Sequence, residues 1–197
     1  MNRIHRFHLV RVVTLALAAA SPVACAMPYG SNVRDDAQAI ERERNPEKLA
    51  AAGDAWTSVG DWARAAQYFE LAVACGAPEN EIFPKLLGAL IRDKQYRGAT
   101  IAAENHLRLH PADTAARIVL ASLYASLGEG ASARREYEAV LKREPDNADA
   151  HYSLALVLRS EEKDPLGADQ HFREYLRVAP QGAHAEQARG LLLETVQ

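Results

Sequence analysis

The chain repeats itself every 34 residues. Sliding residues 114–147 (TAARIVLASLYASLGEGASARREYEAVLKREPDN) back by that length puts Ala133 on Ala99 and Ala65, Tyr137 on Ala103 and Phe69, Tyr124 on Leu90 and Trp56, and Pro145 on Pro111. Self-similarity at such a period marks a solenoid, in which each unit is too small to bury its apolar face alone and does so against its neighbours. Apolar residues recur three and four apart within each unit, and no segment alternates apolar with polar as a half-buried strand would. The expectation is therefore an all-α array of helix pairs.

Asn45-Pro46-Glu47 gives the first start signal: a side chain able to cap free amides, a first-turn proline that needs no amide partner, and an acid that complements the dipole. Four units follow, at 46–79, 80–113, 114–147 and 148–182. The last is one residue longer, because Tyr137 to Phe172 and Pro145 to Pro180 are spaced 35 apart, with the extra residue in the turn before Asp164-Pro165. Small residues at Gly53, Ala121 and Ala155, and at Ala65, Ala99, Ala133 and Ala168, allow paired helices to approach closely. Gly60 and Gly128 supply the turn between helices, and Pro111, Pro145 and Pro180 stop the second helix of their units. Residues 183–197 read as a capping helix with Ala188, Leu191, Leu192 and Leu193 on its apolar face.

The strings WTSVGDWARAAQYFELAV, LYASLGEGASARREYEAVLKREP and LALVLRSEEKDPLGADQHFREYLRVAP resemble the tetratricopeptide repeat (TPR) family. That resemblance implies a right-handed solenoid of four helix pairs whose first helices line a concave groove for segments of other proteins. Projected onto this sequence, the groove residues are Pro84, Gly88, Ile91 and Arg92, then Ile118, Ser122 and Ala125, then Tyr152, Leu156 and Arg159, with Tyr152 as anchor. Some TPR proteins clamp acidic C-termini with lysine and asparagine in the first unit, but Ala50 and Asp54 stand at those places here.

The N-terminus has the layout of a secretory signal: a basic stretch with Arg3, Arg6 and Arg11, an apolar run too short to span a bilayer, and a small-residue, helix-breaking end. Pro22-Val23-Ala24-Cys25 resembles a bacterial lipobox, which would acylate Cys25, although Pro22 stands where leucine is usual. Ala24-Cys25-Ala26 equally suits ordinary cleavage before Met27. Residues 26–45 read as a charged linker. Cys75 is expected to be a small packed residue, and with Cys25 does not make a disulfide framework.

Three of the 23 basic residues and none of the 26 acidic ones fall in the first 25 positions, leaving 20 against 26 and a net charge of −6. That balance disfavours a nucleic-acid partner, which needs a basic stripe. Gly128-Glu129-Gly130-Ala131-Ser132-Ala133 has the form of a dinucleotide-binding string but lacks the strand that should precede it. Ser160-Glu161-Glu162-Lys163 has the spacing of an acyl-enzyme motif without its companion strings. His106 and His110 lie four apart and could reach one metal, yet the sequence supplies no third ligand beside them, and His106 falls in the packed column of Ala72 and Val140. No catalytic residue, cofactor or metal is assigned. The reading is an exported, non-enzymatic adaptor, periplasmic or lipid-anchored at the outer membrane, that binds a protein segment during assembly of an envelope complex such as a pilus or secretion apparatus. A periplasmic holdase for unfolded clients is the alternative.

Overall fold

The computed structural model describes residues 44–193, and the expected signal sequence, Cys25 and most of the expected linker lie outside that range. Nine helices and no strand occur among the described residues: α1 Pro46–Ser58, α2 Trp62–Ala74, α3 Glu79–Arg92, α4 Tyr96–Leu109, α5 Thr114–Ser126, α6 Gly130–Arg143, α7 Ala148–Ser160, α8 Pro165–Val178 and α9 Ala185–Leu191. They stack in sequence order as four antiparallel pairs plus a short final helix, the expected all-α solenoid.

Capping explains most of the helix starts. Asn45 accepts from the Lys48 amide at 2.9 Å, Asp61 from Arg64 at 3.0 Å, and Asp113, Asn147 and Asp164 from Ala116, Ala150 and Gly167 at 2.9 Å each. Each supplies an oxygen to an amide with no intrahelical partner. Pro46 and Pro165 occupy first-turn positions. Within α3, Pro84 removes one mid-helix amide, the one that would have donated to Asn80.

The turn inside each pair shows a regularity hidden from composition. Gly60, Lys94, Gly128 and Lys163 all have positive φ, at 77°, 61°, 74° and 58°. Every pair thus closes through one left-handed residue, glycine in two units and lysine in the other two.

The alanines of the second helices, Ala65, Ala99, Ala133 and Ala168, are buried. At Gly53 an added Cβ would stand 2.5 Å from the Phe69 ring, so the glycine lets α2 close onto α1. Two apolar clusters form the core, one running from α1 into α5 and one from α5 to α9; Tyr124, half-buried, packs against both. The final helix, Ala185–Leu191, lies within the expected 183–197 segment, of which residues 194–197 fall outside the described range. Ala185 and Ala188 are buried against the last pair, whereas Leu193 is exposed and its amide donates to Asp169 at 2.7 Å. Cys75 ends α2, half-buried and unbonded.

Candidate functional site

Helices α3, α5 and α7 carry the ten expected groove residues, and their environments differ sharply. Pro84, Arg92, Ser122 and Arg159 are exposed, while Gly88, Ile91, Ile118, Ala125 and Leu156 are half-buried. Pro84, Gly88 and Arg92 come together on a cavity of about 200 Å³, which Asp54 and Thr57 of α1 and Trp62 of α2 also bound. The Thr57 hydroxyl is buried and has no hydrogen-bond partner among the described residues. The Arg92 guanidinium lies 4.6 Å from the centre of the Trp62 ring, a cation–π arrangement that holds it beside the cavity. Asp54, at the place of the clamp asparagine in some TPR proteins, instead pairs with Lys85 at 2.7 Å across the two units.

The other end of the face is arranged differently from the expectation. Tyr152 is only 6% exposed. It stacks on His184 at 4.2 Å and packs against Tyr175 at 5.3 Å, and the Tyr175 hydroxyl accepts from the His184 amide at 2.9 Å. An open anchor is thereby corrected to a core residue, because the segment leading into α9 closes over the ring. Burial pushes the Tyr152 phenol up, with a smaller contribution from Tyr175. Arg159 donates to the Leu191 carbonyl at 2.7 Å and ties α7 to the end of α9. Ser122 supports the core from the surface, its Oγ lying 2.8 Å from the Tyr137 hydroxyl.

The second helices carry a separate feature. A cavity of about 500 Å³ lies between α2 and α4 and is bounded by Val73, Phe83, Ile101, Ala102 and Leu109, with Glu79 and His106 on its wall. Ile101 and Leu109 are 59% and 66% exposed. His106 is buried as expected, stacked on Phe83 with ring centres 3.7 Å apart and planes within 5°. Sequence reasoning missed its partners. Glu79 Oε1 lies 2.6 Å from His106 Nδ1, Glu79 Oε2 lies 2.8 Å from His110 Nε2, and Asp113 Oδ2 lies 2.9 Å from His106 Nε2. In an antiparallel pair the first residue of one helix lies beside the end of the other, so an acid opening α3 meets histidines closing α4. That was the available signal.

Comparison with known proteins places this geometry. Residues 118–183 match the tetratricopeptide repeat family. No curated protein sequence matches the chain. Among solved structures, the chain is similar to YrrB, described as a TPR protein with an unusual peptide-binding site, at 20% identity and a TM-score of 0.66, covering 81% of this chain and 88% of that one. A tetratricopeptide repeat protein from Parabacteroides merdae gives 23% identity and a TM-score of 0.66 over 74% of this chain, which spans 58% of that protein. MamA from Desulfovibrio magneticus gives 20% identity and a TM-score of 0.62 over 72% and 80%. The fold is that of a TPR solenoid.

Proposed function

We propose that this chain is a non-catalytic, protein-binding adaptor that takes a segment of another protein on the face formed by α1, α3, α5 and α7. The cavity beside Pro84, Gly88 and Arg92 carries the reading, since it sets an apolar floor next to a guanidinium and the Thr57 hydroxyl. Such a recess suits one side chain of an incoming segment, with a neighbouring acid meeting Arg92. Half-buried Ile91, Ile118 and Leu156 continue the floor along the face. The signal-like N-terminus and the lipobox-like Cys25 extend the proposal to export into a bacterial envelope, where the adaptor assists assembly of a multiprotein complex such as a pilus or secretion apparatus.

In-cell photo-crosslinking tests this. A photoreactive residue at Lys85, which lines the recess, should capture one dominant envelope protein, and the same residue at Ile101 on the opposite helices should not. Capture of many unrelated proteins from Lys85 would favour the holdase. Capture from Ile101 alone would overturn the choice of face, and capture of cytoplasmic proteins alone would overturn export.

A further inference from the structure

Glu79, His106, His110 and Asp113 bring three carboxylate oxygens and three ring nitrogens to one place. Asp113 uses both carboxylate oxygens, Oδ1 accepting the Ala116 amide at 2.9 Å as the cap of α5 and Oδ2 facing His106 Nε2 at 2.9 Å. A fixed acceptor at Nε2 requires that nitrogen to carry hydrogen. The other ring nitrogen, Nδ1, faces Glu79 Oε1 at 2.6 Å, a pairing that needs either a second ring proton or a metal cation between the two atoms. His110 Nε2 reaches the second oxygen of the same carboxylate, and one ligand atom from each of the three residues lies within 4.8 Å of the others.

We propose that Glu79, His106 and His110 bind a borderline divalent transition-metal ion, zinc or a close relative, with Asp113 positioning His106 from behind. Two imidazoles and one carboxylate are a donor set for zinc, copper(II) or nickel, whereas calcium and magnesium favour oxygen alone. A carboxylate on the far nitrogen of a metal-binding histidine is the usual outer-shell partner, and it selects the tautomer that leaves the near nitrogen free. The stacked Phe83 ring fixes the plane of His106, so one ligand is set in advance.

The other two ligands have room to adjust, since the Glu79 and His110 side chains are 27% and 46% exposed. Bonds of about 2.0–2.1 Å in a tetrahedral site separate the ligand atoms by roughly 3.3 Å, so the Glu79 carboxylate needs to withdraw by less than about 1 Å. With three protein ligands, a fourth position is left to water or to a donor from a bound molecule. The ion would join the start of α3 to the end of α4 on the wall of the 500 Å³ apolar cavity, which Glu79 and His106 already line.

Zinc titration of the tag-free, metal-stripped full chain by calorimetry tests the site. The wild type should bind one equivalent with proton release and a raised thermal midpoint. His110→Ala and Glu79→Gln, both at partly exposed side chains, should weaken binding at least tenfold while keeping the wild-type circular dichroism. Asp113→Asn retains the helix cap and should weaken binding about ten- to hundredfold. The cobalt(II)-loaded protein should show four-coordinate visible absorption that His110→Ala loses. Wild-type protein that takes up no zinc, or His110→Ala that binds as tightly as wild type, would overturn the assignment. So would loss of binding from His171→Ala alone, which would put the ion at the His151–His171 pair.

Discussion

The Tyr137 hydroxyl lies 2.8 Å from Ser122 Oγ, and Ser122 Oγ donates in turn to the Ile118 carbonyl at 3.0 Å. A 2%-exposed phenol in the column of the second helices is thus satisfied by a serine on the exposed side of α5. Tyr137→Ala should lower unfolding stability by about 3–5 kcal/mol through cavity formation. Ser122→Ala should cost about 1–3 kcal/mol by stranding the buried hydroxyl, and Tyr137→Phe less than that. Urea unfolding midpoints check the order of the three.

The left-handed turn column makes a prediction with opposite signs at equivalent places. Lysine in this conformation carries a Cβ penalty that glycine lacks, so Lys94→Gly and Lys163→Gly should each raise stability by up to about 1 kcal/mol. Gly128→Ala should lower it by about as much. Thermal midpoints of the single variants decide it.

Gly53 and Gly88 both lie within helices but should respond differently. An added methyl at Gly53 meets the Phe69 ring, and Gly53→Ala should cost about 1–3 kcal/mol through overpacking. Nothing lies within 4 Å of a methyl at Gly88, so Gly88→Ala should gain about 0.5–1 kcal/mol from reduced backbone entropy. Chemical denaturation of the pair is the check.

Burial, and then the neighbouring His151, lower the pKa of His171 below its ordinary value. The ring can donate to His151 Nδ1 at 3.0 Å, because His151 Nε2 donates to the Pro145 carbonyl at 2.9 Å. A folded-state pKa below the unfolded one means that this contribution is present above about pH 6.5 and is lost as pH falls towards the folded value. Melting temperatures between pH 7.5 and 5 should therefore fall for the wild type and fall less for His171→Gln.

Most of the fold is legible in the sequence, because a repeated unit writes its constraints several times. The 34-residue spacing of Ala65, Ala99 and Ala133 marks the second helices, and Asn45-Pro46 and Asp164-Pro165 mark two helix starts. The candidate sites are less legible, since they depend on what the ends of the array do. Projection of the repeat onto Tyr152 and Arg159 treats the fourth unit like an internal one. Here His184 stacks on Tyr152 and the Leu191 carbonyl accepts from Arg159, contacts that the periodicity does not encode. Glu79 was missed for a related reason. It stands 27 residues from His106, and only antiparallel pairing brings them together. The left-handed lysines were hidden because composition marks such turns only where glycine occupies them.

The central claim is that the face of α1, α3, α5 and α7 holds a protein segment beside Arg92. Affinity of the crosslinked segment, prepared as a peptide and measured by fluorescence anisotropy, tests it most directly against two variants of equal folded content by circular dichroism. Arg92→Glu should weaken binding at least tenfold, since it sets an acid where the segment's own acid docks, and Ile101→Asp on the opposite helices should leave binding unchanged. Tight binding by Arg92→Glu together with loss in Ile101→Asp would contradict the account and move the partner to the apolar cavity between α2 and α4.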